Sequence, residues 1–347
     1  MNMFVTLNAV EKLPLRKPIS AGVILSYKCS SACRHCMYAC SPFWSADWVS
    51  ERDLKTILSR LSLWIKPSPY GADRVSLNYG LHFTGGEPFL NFKLLVRATE
   101  LANDLGIPSL FVETNCFWCV DDKDTRERLR ALKEAGLKGV LISVNPFILE
   151  QVPFERTERA VRISEDVFGS NTMVYQEIYY HQFRKMNIRG TMSLEQYLEI
   201  GSSALRYAEL LPMGRTCYKL EKLFEKHPAK IFFGESCLPE LTRNWHVHID
   251  NYLNYMTGYC GGISLGKITE LDFSNSYTEL GDKPILSALV RDIRELYDLA
   301  VKDFNYSESE KGYVSKCHLC IDIRRHIVKQ TDEFKELQPR ELYHYLE

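Results

Sequence analysis

Cysteine is the residue in this chain best placed to do chemistry: there are eleven in 347 residues, and three stand in one run, Cys29-Ser-Ser-Ala-Cys33-Arg-His-Cys36. Thiolates at that spacing can wrap a loop around one face of a cubane iron-sulfur cluster and leave its fourth iron without a protein ligand. An outside molecule with an amino and a carboxylate group can chelate such a vacancy. The same run also admits a zinc site, with Cys40 or His35 completing a tetrahedral set.

Four more cysteines follow far downstream, Cys237, Cys260 and the pair Cys317-His-Leu-Cys320. Four thiolates saturate a tetrahedral zinc or close a [4Fe-4S] cluster completely, and a Cys-x-x-Cys half-site is common to both. Cys40, Cys116, Cys119 and Cys217 remain. As spare thiols they read as small buried hydrophobes. Cys116-Phe-Trp-Cys119 has a sharper alternative, in which Cys116 or Cys119 returns a hydrogen atom to a substrate radical.

Composition narrows the partners. Lys+Arg 43 against Asp+Glu 44 gives a formal charge of -1, which supplies no basic field to gather nucleic acid or an anionic membrane and leaves a peptide or small molecule as substrate. Met1 to Ser20 holds no apolar run near the roughly 18 residues that span a bilayer. With no secretory signal, the cysteines read as ligands rather than disulfides, and the chain reads as cytoplasmic.

The elements that must position these groups follow from hydrophobic periodicity. Buried-strand runs recur at Gly22-Leu25, Leu81-Thr84, Leu110-Thr114, Val140-Val144, Thr172-Ile178 and near Ala208-Leu211,. Helical stripes lie between them: one begins at Ser50 with Asp53 as cap partner, one stops at Gly106, one stops at Gly136, and one opens at Ser193 with Gln196. Six such alternations predict α/β architecture, parallel βα units closed or partly closed into a barrel with its chemistry at the strands' C-terminal ends. Past Leu220 the alternation stops. The expected division is 1–220 and 221–347, with one amphipathic helix through Leu289, Ile293, Leu296 and Ala300 before the last cysteine pair and a charged tail.

The three-cysteine spacing, its place after the first strand, and Thr84-Gly85-Gly86-Glu87-Pro88 after the second together resemble the radical S-adenosylmethionine (radical SAM) superfamily. The resemblance implies a partial (β/α)6 TIM-like barrel. It implies a [4Fe-4S] cluster on Cys29, Cys33 and Cys36 that cleaves S-adenosylmethionine reductively to a 5′-deoxyadenosyl radical. Thr84, Gly85, Gly86, Glu87 and Pro88 would hold the methionine amino group, with Thr114, Asn115 and Ser143 at the ribose and carboxylate and Gly214 and Arg215 beside the adenine. The stretch from His248 to Gly266 is similar to the auxiliary-cluster domain called SPASM in its shortened Twitch form, which implies a second [4Fe-4S] cluster on Cys237, Cys260, Cys317 and Cys320. An electron donor such as flavodoxin or ferredoxin and anaerobic handling go with this chemistry.

The expected reaction is hydrogen abstraction from a peptide or small molecule, leading to oxidation or maturation of the kind performed by relatives that mature sulfatases or oxidise an aminocyclitol alcohol. The rivals are redox-neutral epimerisation, carbon-carbon or thioether bond formation, and a non-catalytic zinc-binding interaction protein. Glu177, His181 and Asp272 are candidate bases. His246 and His248 alternate with apolar neighbours, which predicts a strand with both histidines on its solvated face rather than at a metal site.

Overall fold

The computed structural model describes residues 12–45 and 47–347; the stretch from Met1 to residue 11, part of the N-terminal segment assessed for a membrane span, lies outside them. Among the described residues nine strands are present: β1 (Lys12–Pro14), β2 (Ser20–Ser26), β3 (Gly80–Gly85), β4 (Phe111–Thr114), β5 (Gly139–Ser143), β6 (Thr172–Tyr175), β7 (Val247–Ile249), β8 (Tyr255–Thr257) and β9 (Tyr277–Glu279). Seven form one open sheet in the order β6-β5-β4-β3-β2-β7-β8, and β1 pairs with β9 separately.

Within the seven-stranded sheet the pairings from β6 across to β7 are parallel and β7–β8 is antiparallel. Parallel neighbours need crossovers, here the helices Glu51–Leu61, Phe92–Asp104, Asp122–Glu134 and Phe154–Phe168,. Every residue of central strand β2 is buried, as a strand covered on both faces requires. Local signals set the helix ends. Ser50 accepts from the Asp53 N–H at 3.1 Å, Ser193 and Gln196 form a reciprocal capping box, and Gly106 and Gly136 take positive φ just past their helices,.

The α/β sheet is thus the expected one, open rather than closed, with two differences at its edges. Residues 208–211 form no strand; Glu209 is fastened beside the end of β6 by the Gln176 carboxamide, which accepts from the Glu209 N–H at 3.0 Å and donates to its carbonyl at 2.7 Å. A side-chain amide there does the work of a ladder pair. At the opposite side, β7 and β8, from the segment past 220, extend the same sheet, β7 pairing with β2 and β8 with β7. The helix expected through Leu289 and Ala300 is two, Pro284–Arg291 and Ile293–Phe304. Asp292 leaves helical backbone at φ −159° and caps the second through the Arg294 N–H, a role for which Asp outranks a helix-interior residue. Among the described residues no helix is long and apolar enough to cross a membrane.

Candidate active site

The loop that follows β2 carries Cys29, Cys33 and Cys36 past the C-terminal ends of β3 to β6, where a cavity of about 490 Å³ opens. All three thiols line it, together with Thr84, Gly85, Gly86, Thr114, Asn115 and Ser143. Strand ends gather here because the parallel units all point their C-termini the same way. Asn115 reaches the loop itself, its amide 3.0 Å from Ser30 Oγ and 3.8 Å from Cys29 Sγ.

Glycine at 86 has a steric cause. A Cβ there would sit 1.8 Å from the Lys28 carbonyl oxygen, so the turn after β3 touches the cysteine loop backbone to backbone, joined by Glu87 N–H to Lys28 O at 3.0 Å,. Glu87 and Pro88 do not line the cavity. The Glu87 carboxylate turns inward and accepts from Asn115 N at 2.8 Å and Thr114 Oγ1 at 3.0 Å, tying the end of β3 to the end of β4. Burial raises it to about 7 despite those bonds,.

Arg215 is buried and grips the loop instead of facing the cavity. It donates to Cys33 O at 2.8 Å, Ala39 O at 2.7 Å, Cys40 O at 3.1 Å and Tyr345 O at 2.9 Å. Gly214 packs on Met37, where a Cβ would lie 2.4 Å from backbone atoms. Cys40 supports Cys36: its N–H lies 3.3 Å from Cys36 Sγ, and a thiol contact from Cys40, aided by the Arg215 charge and against the opposing effect of burial, lowers Cys36 to about 6. Burial pushes Cys29 up to about 12 and Cys33 well above the ordinary thiol range.

Cys116 and Cys119 are fully buried and neither lines the cavity; beside them Trp118 stacks on Phe89 at 3.9 Å. Glu177, His181 and Asp272 are also absent from its wall. Two other acids do line it, Glu209 and Glu113, the latter held by Thr84 Oγ1 at 2.6 Å and raised to about 7 by burial. The sequence signal of Glu113 is a lone carboxylate inside the apolar strand Phe111–Thr114, two residues before Asn115. Tyr175, Trp245 and Tyr259 line it as well.

His246 and His248 are a correction. Both are buried and line the cavity, and burial lowers both below the ordinary imidazole range. Alternation read the faces of β7 correctly but assumed that one of them met water, whereas β7 is covered on both because it extends the main sheet.

The second cysteine set converges too. Cys237 stands before the short helix Leu238–Leu241, Cys260 lies in the turn after β8, and Cys317 and Cys320 occupy the first turns of helix Lys316–Val328. All four line a small pocket of about 40 Å³ with Lys316 and Arg324. Burial raises Cys260 to about 11 and Cys317 well above the ordinary range. Met37 and Tyr259 line both cavities and form the shared wall.

No protein-family model and no curated protein matches the sequence. Solved structures similar to it include BtrN in complex with AdoMet and 2-DOIA, at 13% identity and TM-score 0.40 over 76% of this chain and 82% of that one. Another is anSMEcpe with bound AdoMet and Cp18Cys peptide, at 12% identity and TM-score 0.44 over 95% and 96%. A third is HydG, a maturase of the [FeFe]-hydrogenase, at 15% identity and TM-score 0.35 over 50% and 41%.

Proposed function

We propose that the chain is a radical SAM enzyme that oxidises a peptide side chain or a small metabolite, with residues 1–220 as the catalytic part and 221–347 as a Twitch-like part holding a second cluster. One observation carries the reading: Cys29, Cys33 and Cys36 meet the Thr84–Gly86 turn, Asn115 and Ser143 on one cavity. The donor set fits the groups it would hold, three soft thiols on a loop whose backbone carbonyls are fixed by Arg215 and whose open side faces polar strand ends,. A [4Fe-4S] cluster bound there supplies the electron that cleaves S-adenosylmethionine to the radical that takes a hydrogen atom from substrate.

The chain's own groups do the rest. Gly85 and Gly86 bring backbone to the cavity wall, where a larger residue would not fit, and Asn115 and Ser143 offer hydrogen bonds to the ligand. Glu113, near neutrality at the cavity wall, is the group able to take the proton that oxidation releases,. The four-thiol pocket lies across the Met37–Tyr259 wall and presents no vacancy, which suits a centre that accepts an electron without touching substrate. The positions of Cys116 and Cys119 behind the cavity weigh against thiol-mediated epimerisation.

Anaerobic reconstitution with iron and sulfide, followed by dithionite or flavodoxin and S-adenosylmethionine, tests this. The expected result is a brown protein with two clusters per chain that forms 5′-deoxyadenosine. A colourless protein whose cysteines hold only zinc overturns it.

A further inference from the structure

A third group of soft ligands lies beside the cavity, built from strands rather than loops. In the sheet, His82 of β3 and His248 of β7 both stand level with Gly22 of β2. Side chains at one level of adjacent parallel strands share a face. Gly22 has none, and a Cβ built on it would come within 2.5 Å of His82 Nε2 and 2.8 Å of His248 Nε2. Both nitrogens therefore converge over the space that glycine leaves free. His246, two residues before His248 and so on the same face of β7, closes the set. A ligand nitrogen of each ring lies within 4.8 Å of the other two, and all three residues are buried.

The hydrogen bonds around the rings point the same way. His248 Nδ1 lies 2.9 Å from Tyr38 Oη and 3.3 Å from the Gly258 carbonyl oxygen, to which Tyr38 Oη also donates at 3.4 Å. These contacts are satisfied together when His248 Nδ1 carries the proton and Nε2 keeps a bare lone pair. His246 is bonded to the Leu77 backbone, and its Nδ1 has no partner. Neither nitrogen of His82 has a hydrogen-bond partner; Glu113 Oε1 is its nearest charged neighbour at 3.5 Å.

A buried polar atom without a partner costs about 1–3 kcal/mol, and such atoms on two neighbouring rings, His82 and His246, call for a ligand,. Ring packing alone, such as that of His82 on Phe111 at 5.0 Å, accounts for burial but not for the bare nitrogens or the glycine between them. Histidines that hold a metal commonly give their second N–H to a carbonyl, which fixes the tautomer, and His248 and His246 do so.

We propose that His82, His246 and His248 bind one divalent transition-metal ion of the borderline class that imidazole favours, zinc or ferrous iron. His246 and His248 line the large cavity, so the ion's remaining position opens onto it. Three protein ligands with one position free is the arrangement of ions that meet an exogenous ligand. The group taken there is a carboxylate, hydroxyl or amine of the molecule that occupies the cavity. Glu113 supplies negative charge beside the site. Nothing in this assignment depends on what the cysteines hold.

The test uses the full chain reconstituted anaerobically with iron and sulfide, given one equivalent of Zn²⁺, desalted, and crystallised for diffraction at the zinc edge. The expected result is one retained zinc per chain, with an anomalous peak about 2.0–2.1 Å from nitrogens of the three histidines. His82→Ala should bring retained zinc toward none while iron and sulfide stay unchanged. Zinc lost on desalting, or no peak at the histidines of the unaltered chain, overturns the proposal, and that crystal decides the matter even where the variant fails to fold. Zinc at the cysteines would count against the cluster reading and leave this one standing on the histidine peak.

Discussion

The two cysteine sites are built in opposite ways. The first takes its thiols from one contiguous loop, Cys29 to Cys36, pinned from behind by Arg215 and by contact with Gly86, and its free side faces about 490 Å³ of cavity. The second takes them from a helix cap, a turn and a helix start, which surround about 40 Å³. A loop that approaches from one side leaves room for an outside molecule, whereas ligands arriving from several directions leave none. In the proposed reading, that difference separates a centre that cleaves a cosubstrate from one that moves an electron.

Removing one thiol from each site tests the contrast with the largest expected effect. Cys33→Ala should reduce 5′-deoxyadenosine to the level seen without enzyme, because a three-thiolate site has no ligand to spare. Cys320→Ala should leave that cleavage on the order of the unaltered chain while substrate product falls. Equal loss of cleavage in both variants would erase the division of roles.

Gly86→Ala should break the first site alone. The added Cβ meets the Lys28 carbonyl carbon at 2.3 Å and its oxygen at 1.8 Å, and backbone cannot swing aside as a flexible side chain does. A cost of about 3 kcal/mol is expected, at the top of the range for overpacking, with cluster iron lost from the first set and retained at the second. Gly281→Ala, where a Cβ would meet nothing within 4 Å, is the control; thermal melts and iron content of both variants measure the difference.

What the sequence disclosed tracks how local each site is. The Cys29 to Cys36 spacing and the glycine turn are contiguous, and the strand-and-helix alternation that carries them is a periodic signal, so their place at the strand ends was readable. The four-thiol pocket was countable, but its closure depends on how β8 and two helices pack. His82, His246 and His248 were not readable as a group, because the sequence does not say that β7 joins β2 and lies level with β3 through Gly22. Glu113 was missed for the same reason: a strand's inward side is visible only once its neighbours are known. The sixth strand failed because Gln176 meets Glu209 through its side chain, and periodicity does not see side-chain bridges.

Each site also contains one buried arginine, and the two are held differently. Arg215 spends all three guanidinium nitrogens on four carbonyls, while Arg324 donates from Nη1 to Gly261 O at 3.1 Å and Tyr343 Oη at 2.6 Å and bonds the Cys320 thiol, with Nε unpartnered. A lysine ammonium can replace one donating nitrogen but not a planar fork. Arg215→Lys should therefore cost about 2–3 kcal/mol and Arg324→Lys about 1 kcal/mol, read as denaturant midpoints of the metal-free chain. The reverse order would mean that the fork around the first loop is not what fixes it.

The last difference is a slope with pH between acid and neutral, to which Glu87 of the first region contributes. Burial raises Glu87 to about 7 from an ordinary 4.5, so between those values the folded chain keeps a proton that the unfolded chain releases. Stability from this group is full below about 4.5 and is lost as pH rises toward 7, by at most about 3 kcal/mol. Cys36, lowered to about 6, contributes with the opposite sign above that pH, and Glu113 with the same sign as Glu87. Both persist in Glu87→Gln, so the difference between the two proteins isolates Glu87. In the second region Cys260 is raised to about 11, above this window, and adds no slope to it. Urea unfolding of the metal-free chain at pH 5 and pH 7.5 should show the unaltered protein losing more stability across the interval than Glu87→Gln. Parallel curves would show that the carboxylate joining β3 to β4 is ionised throughout, and that the first region is wetter at its base than its packing implies.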